Sequence, residues 1–159
     1  MLKYDFHNSV GYWIFSTAHE MSQRMNDELA DLDITFRQWE VLGWLSFFGE
    51  ISQADLAKGM LIEPPTLAGI LDRMERDDWI ERTPDPADGR RKIVRPTDRV
   101  EPVWSKMVER ARRVRSEATA GISPADLETT RKTLEQMRRN LAGDERIDIV
   151  EKRAREQTD

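Results

Sequence analysis

Residues 62–97 read IEPPTLAGILDRMERDDWIERTPDPADGRRKIVRPT, and three pieces stand out: a helix, a short strand and a basic hairpin. Pro64 and Pro65 fall where a first helical turn tolerates proline, because those N–H groups have no intrahelical partner. Leu67, Ile70, Leu71 and Met74 then recur at helical spacing and predict one apolar face. Thr66, Gly69 and Arg73 point elsewhere. Trp79 and Ile80 open an extended segment, and Pro84, Pro86 and Asp88-Gly89 mark a turn. Arg90, Arg91, Lys92 and Arg95 line the expected return strand, with Ile93 and Val94 between them.

Taken alone, such a stretch is either a solvated basic loop beside an ordinary core helix or a winged helix-turn-helix, with one helix for the major groove and a cationic hairpin for phosphates and the minor groove. The segments on either side favour the second. Ser52-Gln53-Ala54-Asp55 carries a cap signal for a short helix with Leu56 and Ala57 inward and Gly59 as its terminator. A short helix, a tight turn and a second helix thus follow one another from Ser52 to Arg76, which is helix-turn-helix spacing.

Upstream, a long amphipathic helix is predicted from about Tyr4 to Leu32, with Val10, Trp13, Ile14, Thr17, Met21 and Met25 on one stripe. Its apolar face exceeds what one small domain needs, so part of it is expected to meet a second copy of the chain. Thr35-Phe36-Arg37-Gln38 has the form of a capping box, and Ile34 and Trp39 that of a hydrophobic staple. The helix it opens runs to about Phe48, with Phe36, Trp39, Leu42, Leu45 and Phe48 inward and Gly49 as a left-handed cap. Downstream, Thr97 is expected to cap a helix from about Asp98 to Ala120. Val100, Val103, Trp104, Met107, Val108, Ala111 and Val114 form its stripe, and Arg110, Arg112, Arg113 and Arg115 its outer face. Ser123-Pro124-Ala125-Asp126 opens a last helix in which Leu127, Thr130, Leu134, Met137 and Leu141 keep a heptad-like rhythm suited to packing between chains. Residues 144–159 read as a charged tail.

Length and composition agree with one domain. The chain has 159 residues, 38% hydrophobic and 35% charged, and its five Trp and five Phe supply the bulk for a core. No apolar run reaches the roughly 18 residues that a membrane span requires, and no signal peptide is visible, so a cytoplasmic protein without membrane contact is expected. The absence of cysteine removes disulfides, thiolate zinc sites and thiol redox sensing. A net charge of −5 runs against the usual sign of a nucleic-acid-binding domain. The local balance is different: from Arg82 to Arg99 six cations face three carboxylates, directly after an acidic helix carrying Glu63, Asp72, Glu75, Asp77 and Asp78. Any DNA-binding surface here is therefore narrow.

Catalytic and metal chemistry finds little support. His7 and His19 stand more than about three helical turns apart, too far to share a metal. No glycine-rich phosphate loop, nucleophile elbow or catalytic pair is present. An enzyme is not expected, nor a cofactor.

With this order of elements in view, the chain resembles the MarR family of transcriptional regulators, from about Phe6 to Leu141. The most specific part runs from Ile80-Glu81-Arg82 to Asp88-Gly89-Arg90-Arg91-Lys92-Ile93-Val94, which looks like the family's wing with its Asp-x-Arg mark. The resemblance implies a mainly α fold with a small β-hairpin wing: a winged-helix lobe over about 35–97, and a helical dimerisation region over about 4–32 and 98–141. It implies a homodimer that represses from a pseudo-palindromic operator in double-stranded DNA and is released by a small, often anionic aromatic or phenolic, ligand. Carried onto these residues, Arg90 would enter the minor groove, oriented by Asp88, since a narrow groove concentrates negative potential. Arg91, Lys92 and Arg95 would contact phosphates or support the hairpin. Pro65, Thr66, Gly69 and Arg73 match groove-facing positions, with Arg73 a candidate for a bidentate guanine contact or, alternatively, a surface partner of Asp77. Trp13, Phe36, Trp39, Trp104 and Met107 would border a ligand crevice, or else are simply core. Two departures are visible: Gly69 stands where relatives often carry a long polar side chain, and Pro96 where leucine is usual. A winged-helix protein-interaction module without specific DNA binding is the alternative from another class.

Overall fold

The computed structural model describes residues 5–142. The expected tail, like Tyr4 and the residues before it, lies outside them. Six helices and a small sheet follow in the order α1 (Val10–Leu29), α2 (Phe36–Phe48), β1 (Ile51–Ser52), α3 (Gln53–Met60), α4 (Pro64–Arg76), β2 (Ile80–Pro84), β3 (Lys92–Pro96), α5 (Glu101–Ala118) and α6 (Pro124–Ala142). This is the mainly helical winged fold that the sequence predicts.

α1 is shorter than expected at both ends. Ser9 caps its start, its hydroxyl accepting from the Tyr12 N–H. At the other end the chain tightens into a 3-10 turn over Ala30–Leu32 and stops at Asp33, whose φ of 53° no helix continues. The capping box of α2 is present as predicted: Thr35 Oγ1 accepts from the Gln38 N–H, and the Gln38 side chain accepts from the Thr35 N–H at 2.8 Å. Its buried face is Gln38, Val41, Leu42 and Leu45. Phe36, Trp39 and Phe48 lie half-buried at the edge rather than fully inward. Gly49 does take a positive φ, 75°, but its ψ of −86° is not that of a left-handed helical cap.

Gly59 does not end α3. The helix continues through it to Met60, and Leu61 takes the left-handed conformation instead, with φ 55° and ψ 40°. The Ile62 N–H reaches the Ala57 carbonyl and the Leu61 N–H the Lys58 carbonyl, which closes the end in the manner of a Schellman motif. Gly59 serves packing: a Cβ there would stand 2.4 Å from Cζ3 of Trp44. The Trp44 ring in turn stacks on Phe48 with centroids 5.3 Å apart.

The wing is part of a three-stranded antiparallel sheet in the order β1-β3-β2, with Ile51 opposite Val94 and Arg82 opposite Val94 on the other side. The two-residue β1 carries too little pattern to have been read from sequence. α5 begins at Glu101, three residues later than expected, because Thr97 is not its cap. The Thr97 hydroxyl donates to the Asp78 carbonyl at 2.5 Å, and its N–H to the Trp79 carbonyl, so it fastens β3 to the end of α4.

One core runs through α1, α2, α3, α4, the sheet and α5, with Leu29, Leu42, Leu56, Leu67, Leu71, Met74, Ile80, Val94 and Met107 fully buried. α1 packs along α5. Arg24 forks onto Glu117 of α5 at 2.9 and 3.1 Å. Arg110, expected on the outer face of α5, instead turns inward to the Glu28 carbonyl and the Asp31 carboxylate. That guanidinium holds the Asp31 carboxyl down at about 2. Among the described residues, α6 contributes none that is buried to this core.

Candidate nucleic-acid interface

α4 presents two faces. Leu67, Ile70, Leu71 and Met74 are buried as predicted. Pro65, Thr66 and Arg73 are exposed on the opposite side, with Gly69 between them. A Cβ at Gly69 would meet only Nη1 of Arg73, at 3.9 Å, so the arginine folds back over the space that the glycine leaves. Asp77 is not its partner: that carboxylate accepts from Nε of Arg76 at 3.1 Å. Among the described residues Arg73 makes no ion pair.

The acidity of this helix is largely compensated from β2. Arg82 binds Asp72 at 2.7 Å and Glu75 at 2.6 Å, and its own N–H donates to Glu75. The guanidinium holds the Glu75 carboxyl below its ordinary range. The same contacts tie α4 to the root of the wing.

At the wing tip the strand expected over Arg90 and Arg91 begins only at Lys92. The tip is a turn held by Asp88: its carboxylate accepts from the Arg90 N–H and from Arg90 Nε, both at 3.1 Å, and its carbonyl accepts from the Arg91 N–H at 2.8 Å. These donors lower the Asp88 carboxyl. The Arg90 side chain nonetheless remains 92% exposed and projects from the molecule.

The neighbouring cations differ. Arg91 turns back on its own subunit, donating to Ser52 Oγ at 2.9 Å and Asp55 Oδ2 at 2.8 Å. Arg95 lies between Glu50 at 3.0 Å and Glu81 at 3.9 Å. These contacts link the hairpin to α3 and to the strand beside it. Lys92 is exposed and unpaired among the described residues. Sequence reasoning had no means of separating these cations, since the hydrogen-bond partners of Arg91 (Ser52 and Asp55) are 36 or more positions away and those of Arg95 lie at Glu50 and on the adjacent strand.

Between α3, the turn into α4 and the wing lies an open cavity of about 810 Å³. Ala57, Leu61, Ile62 and Pro64 give it apolar walls, and Lys58, Arg90, Arg91, Lys92 and Glu63 charge its edge.

The five aromatic-crevice candidates fall in two places. Met107 is fully buried, and Phe36, Trp39 and Trp104 pack against the same core. Phe36 and Trp39 stack with centroids 6.1 Å apart. The Trp39 indole N–H is buried with no acceptor. Trp13 is 51% exposed, donates to the His7 carbonyl and does not join this group.

Residues 32–91 match the sequence model of the MarR family. That span covers the whole helix-turn-helix and the wing as far as Arg91. Solved structures share the fold over nearly all of the described chain. A mutant MarR from E. coli in complex with operator DNA is 24% identical, with a TM-score of 0.75 over 80% of this chain and 92% of that one. BpsR from Bordetella bronchiseptica, described as regulated in its DNA binding by 6-hydroxynicotinic acid, is 24% identical, with a TM-score of 0.76 over 86% of this chain and 97% of that one. The organohalide-sensing regulator RdhR is 21% identical, with a TM-score of 0.77 over 92% of both chains.

Proposed function

We propose that the chain is a MarR-family regulator, as the match of residues 32–91 to that family's model supports, and that it is a homodimeric repressor that binds a pseudo-palindromic operator and is released by a small aromatic ligand. The winged lobe over about 35–97 would hold the DNA, and the flanking helices of about 4–32 and 98–141 would pair the subunits. The observation that carries the reading is the placement of Arg90. It is almost wholly exposed, braced by Asp88, and stands beside a helix whose outward face is Pro65, Thr66, Gly69 and Arg73. A guanidinium on such a tip suits a narrow minor groove, while the helix suits the major groove.

Dimerisation is supported by apolar surface that one chain leaves uncovered. On α1, Phe15 is 78% exposed, and on α6 the Leu134 and Leu141 side chains remain outside any core. A helix of 19 residues with no buried position among the described residues gains little hold from packing within one subunit. For the ligand, the buried Trp39 N–H offers a donor beside Phe36, and a bound carboxylate or carbonyl would satisfy it.

Selection of bound fragments from random DNA, followed by gel shift, tests this reading. Arg90→Ala should weaken every selected site about equally, whereas Arg73→Ala should relax preference at one base pair per half-site. No retention on any duplex would leave the protein-interaction module in its place.

A further inference from the structure

Residues 85–91, the tip of the wing, have little to hold them in one direction. The ladder between β2 and β3 ends with Pro84 opposite Lys92, and none of residues 85–91 is buried. The bonds that Asp88 accepts close the turn but stay inside it. Among the described residues, every hydrogen bond or ion pair from the tip to another element comes from one side chain, Arg91. It donates to Ser52 Oγ at 2.9 Å and to Asp55 Oδ2 at 2.8 Å. The anchor is itself fixed. Ser52 pairs with Ile93 in the sheet, its hydroxyl accepts from the Asp55 N–H, and it donates to the Asp55 carboxylate at 2.6 Å. Arg91 also joins the tip together, its carbonyl accepting from the Asp85 N–H at 3.0 Å. A tip tethered at one residue takes its direction from that residue, and Arg90 is its neighbour in the chain.

We propose that Arg91 is a positioning residue: its bonds to the cap of α3 set the angle between the wing tip and α4, so that Arg90 meets one groove while α4 lies in the next. This rests on the DNA-binding reading above, and it gives Arg91 no phosphate of its own. Without the tether the tip still reaches the DNA, but it has to be ordered as it binds, and that cost appears as lost affinity. The pair is too exposed, at 46% for Arg91 and 38% for Asp55, to add much to folding stability. Asp55 separates this role from plain electrostatics. Deleting a carboxylate beside the DNA-binding surface should tighten binding by charge alone, whereas deleting the anchor of the tether should weaken it.

The experiment is a titration of a selected operator duplex by fluorescence anisotropy across a range of salt, with wild type, Arg91→Ala, Asp55→Ala, Arg90→Ala and the double variant Arg90→Ala/Arg91→Ala. Trypsin cleavage after Arg90 is followed without DNA in wild type and Asp55→Ala, which share every tryptic site. Arg91→Ala and Asp55→Ala are each expected to weaken operator binding about tenfold per dimer. The slope of log affinity against log salt should stay where it is, since no phosphate contact is lost, and the melting temperature should stay close to that of wild type. In the Arg90→Ala background, Arg91→Ala should add little, because its effect passes through Arg90. Asp55→Ala should be cut faster after Arg90. If Asp55→Ala binds as tightly as wild type or more tightly, or is cut no faster, the tether is wrong. It is equally wrong if Arg91→Ala flattens the salt slope by about 2 per dimer, the mark of a direct phosphate contact. In each of these cases a loss of binding in Arg90→Ala leaves the DNA-binding reading standing. If wild type retains no duplex at all, that reading fails and takes the role of Arg91 with it.

Discussion

Single residues here are decided by what stands opposite them. Gly59 is the clearest case. Its missing Cβ makes room for the Trp44 indole, which is already stacked on Phe48. Gly59→Ala is expected to lower stability by about 1–3 kcal/mol despite alanine's better helix propensity, because overpacking outweighs propensity; a urea melt checks this. Asp31 gives the electrostatic counterpart. Its folded-state carboxyl is held at about 2 by the Arg110 guanidinium, against an ordinary value of 3.8. A carboxyl depressed on folding adds stability above its unfolded value, and that contribution is lost as pH falls toward the folded one. The difference in melting temperature between wild type and Asp31→Asn should therefore hold above about pH 4 and shrink between about pH 4 and 2. Neither partnership was visible in the sequence, where Gly59 reads as a helix stop and Arg110 as an outward charge. Trp44 and Asp31 reach them only through the packing of α2 on α3 and of α1 on α5.

At the scale of elements, local chemistry was legible wherever it closed within a turn. The capping box at Thr35 and the apolar face of α4 are present as read, since each depends on spacings of three or four residues. The failures are element ends fixed from outside. α3 stops at Leu61, a leucine in a conformation that ordinarily favours glycine, because the chain must turn there to start α4. Leu61 is 60% exposed, so little burial is at stake. Leu61→Gly should raise stability by roughly 0.5–1 kcal/mol, relief of left-handed strain exceeding the added chain entropy; the midpoint of thermal unfolding checks it. Thr97 reads as a cap after an extended Pro96, yet its hydroxyl donates to the Asp78 carbonyl just past the end of α4 and the helix starts later.

The whole molecule poses a problem of charge and of surface. On the proposed reading, a chain of net charge −5 can approach DNA only through a local field. Arg82 supplies part of that field by compensating Asp72 and Glu75 behind the reading face. Association with operator should accordingly fall steeply with salt but remain confined to the wing and the α3–α4 edge. The exposed apolar faces of α1 and α6 demand cover of a different kind. Leu134→Glu on α6 should shift sedimentation from dimer to monomer, and operator affinity should fall with it, because two linked half-site contacts become one.

Residue order alone was enough to set the succession of helices, the face that α4 buries and the turn beside the wing's arginine, because periodicity, proline placement and turn chemistry act over a few residues. Only the folded arrangement settles which cations stay free for a partner and which are already neutralised. Arg90 and Arg91 are adjacent in the chain and equal in charge, yet one projects into solvent and the other folds onto Ser52 and Asp55. A charge finds its counter-ion through space, and no local pattern records the distance across which these two segments are brought together.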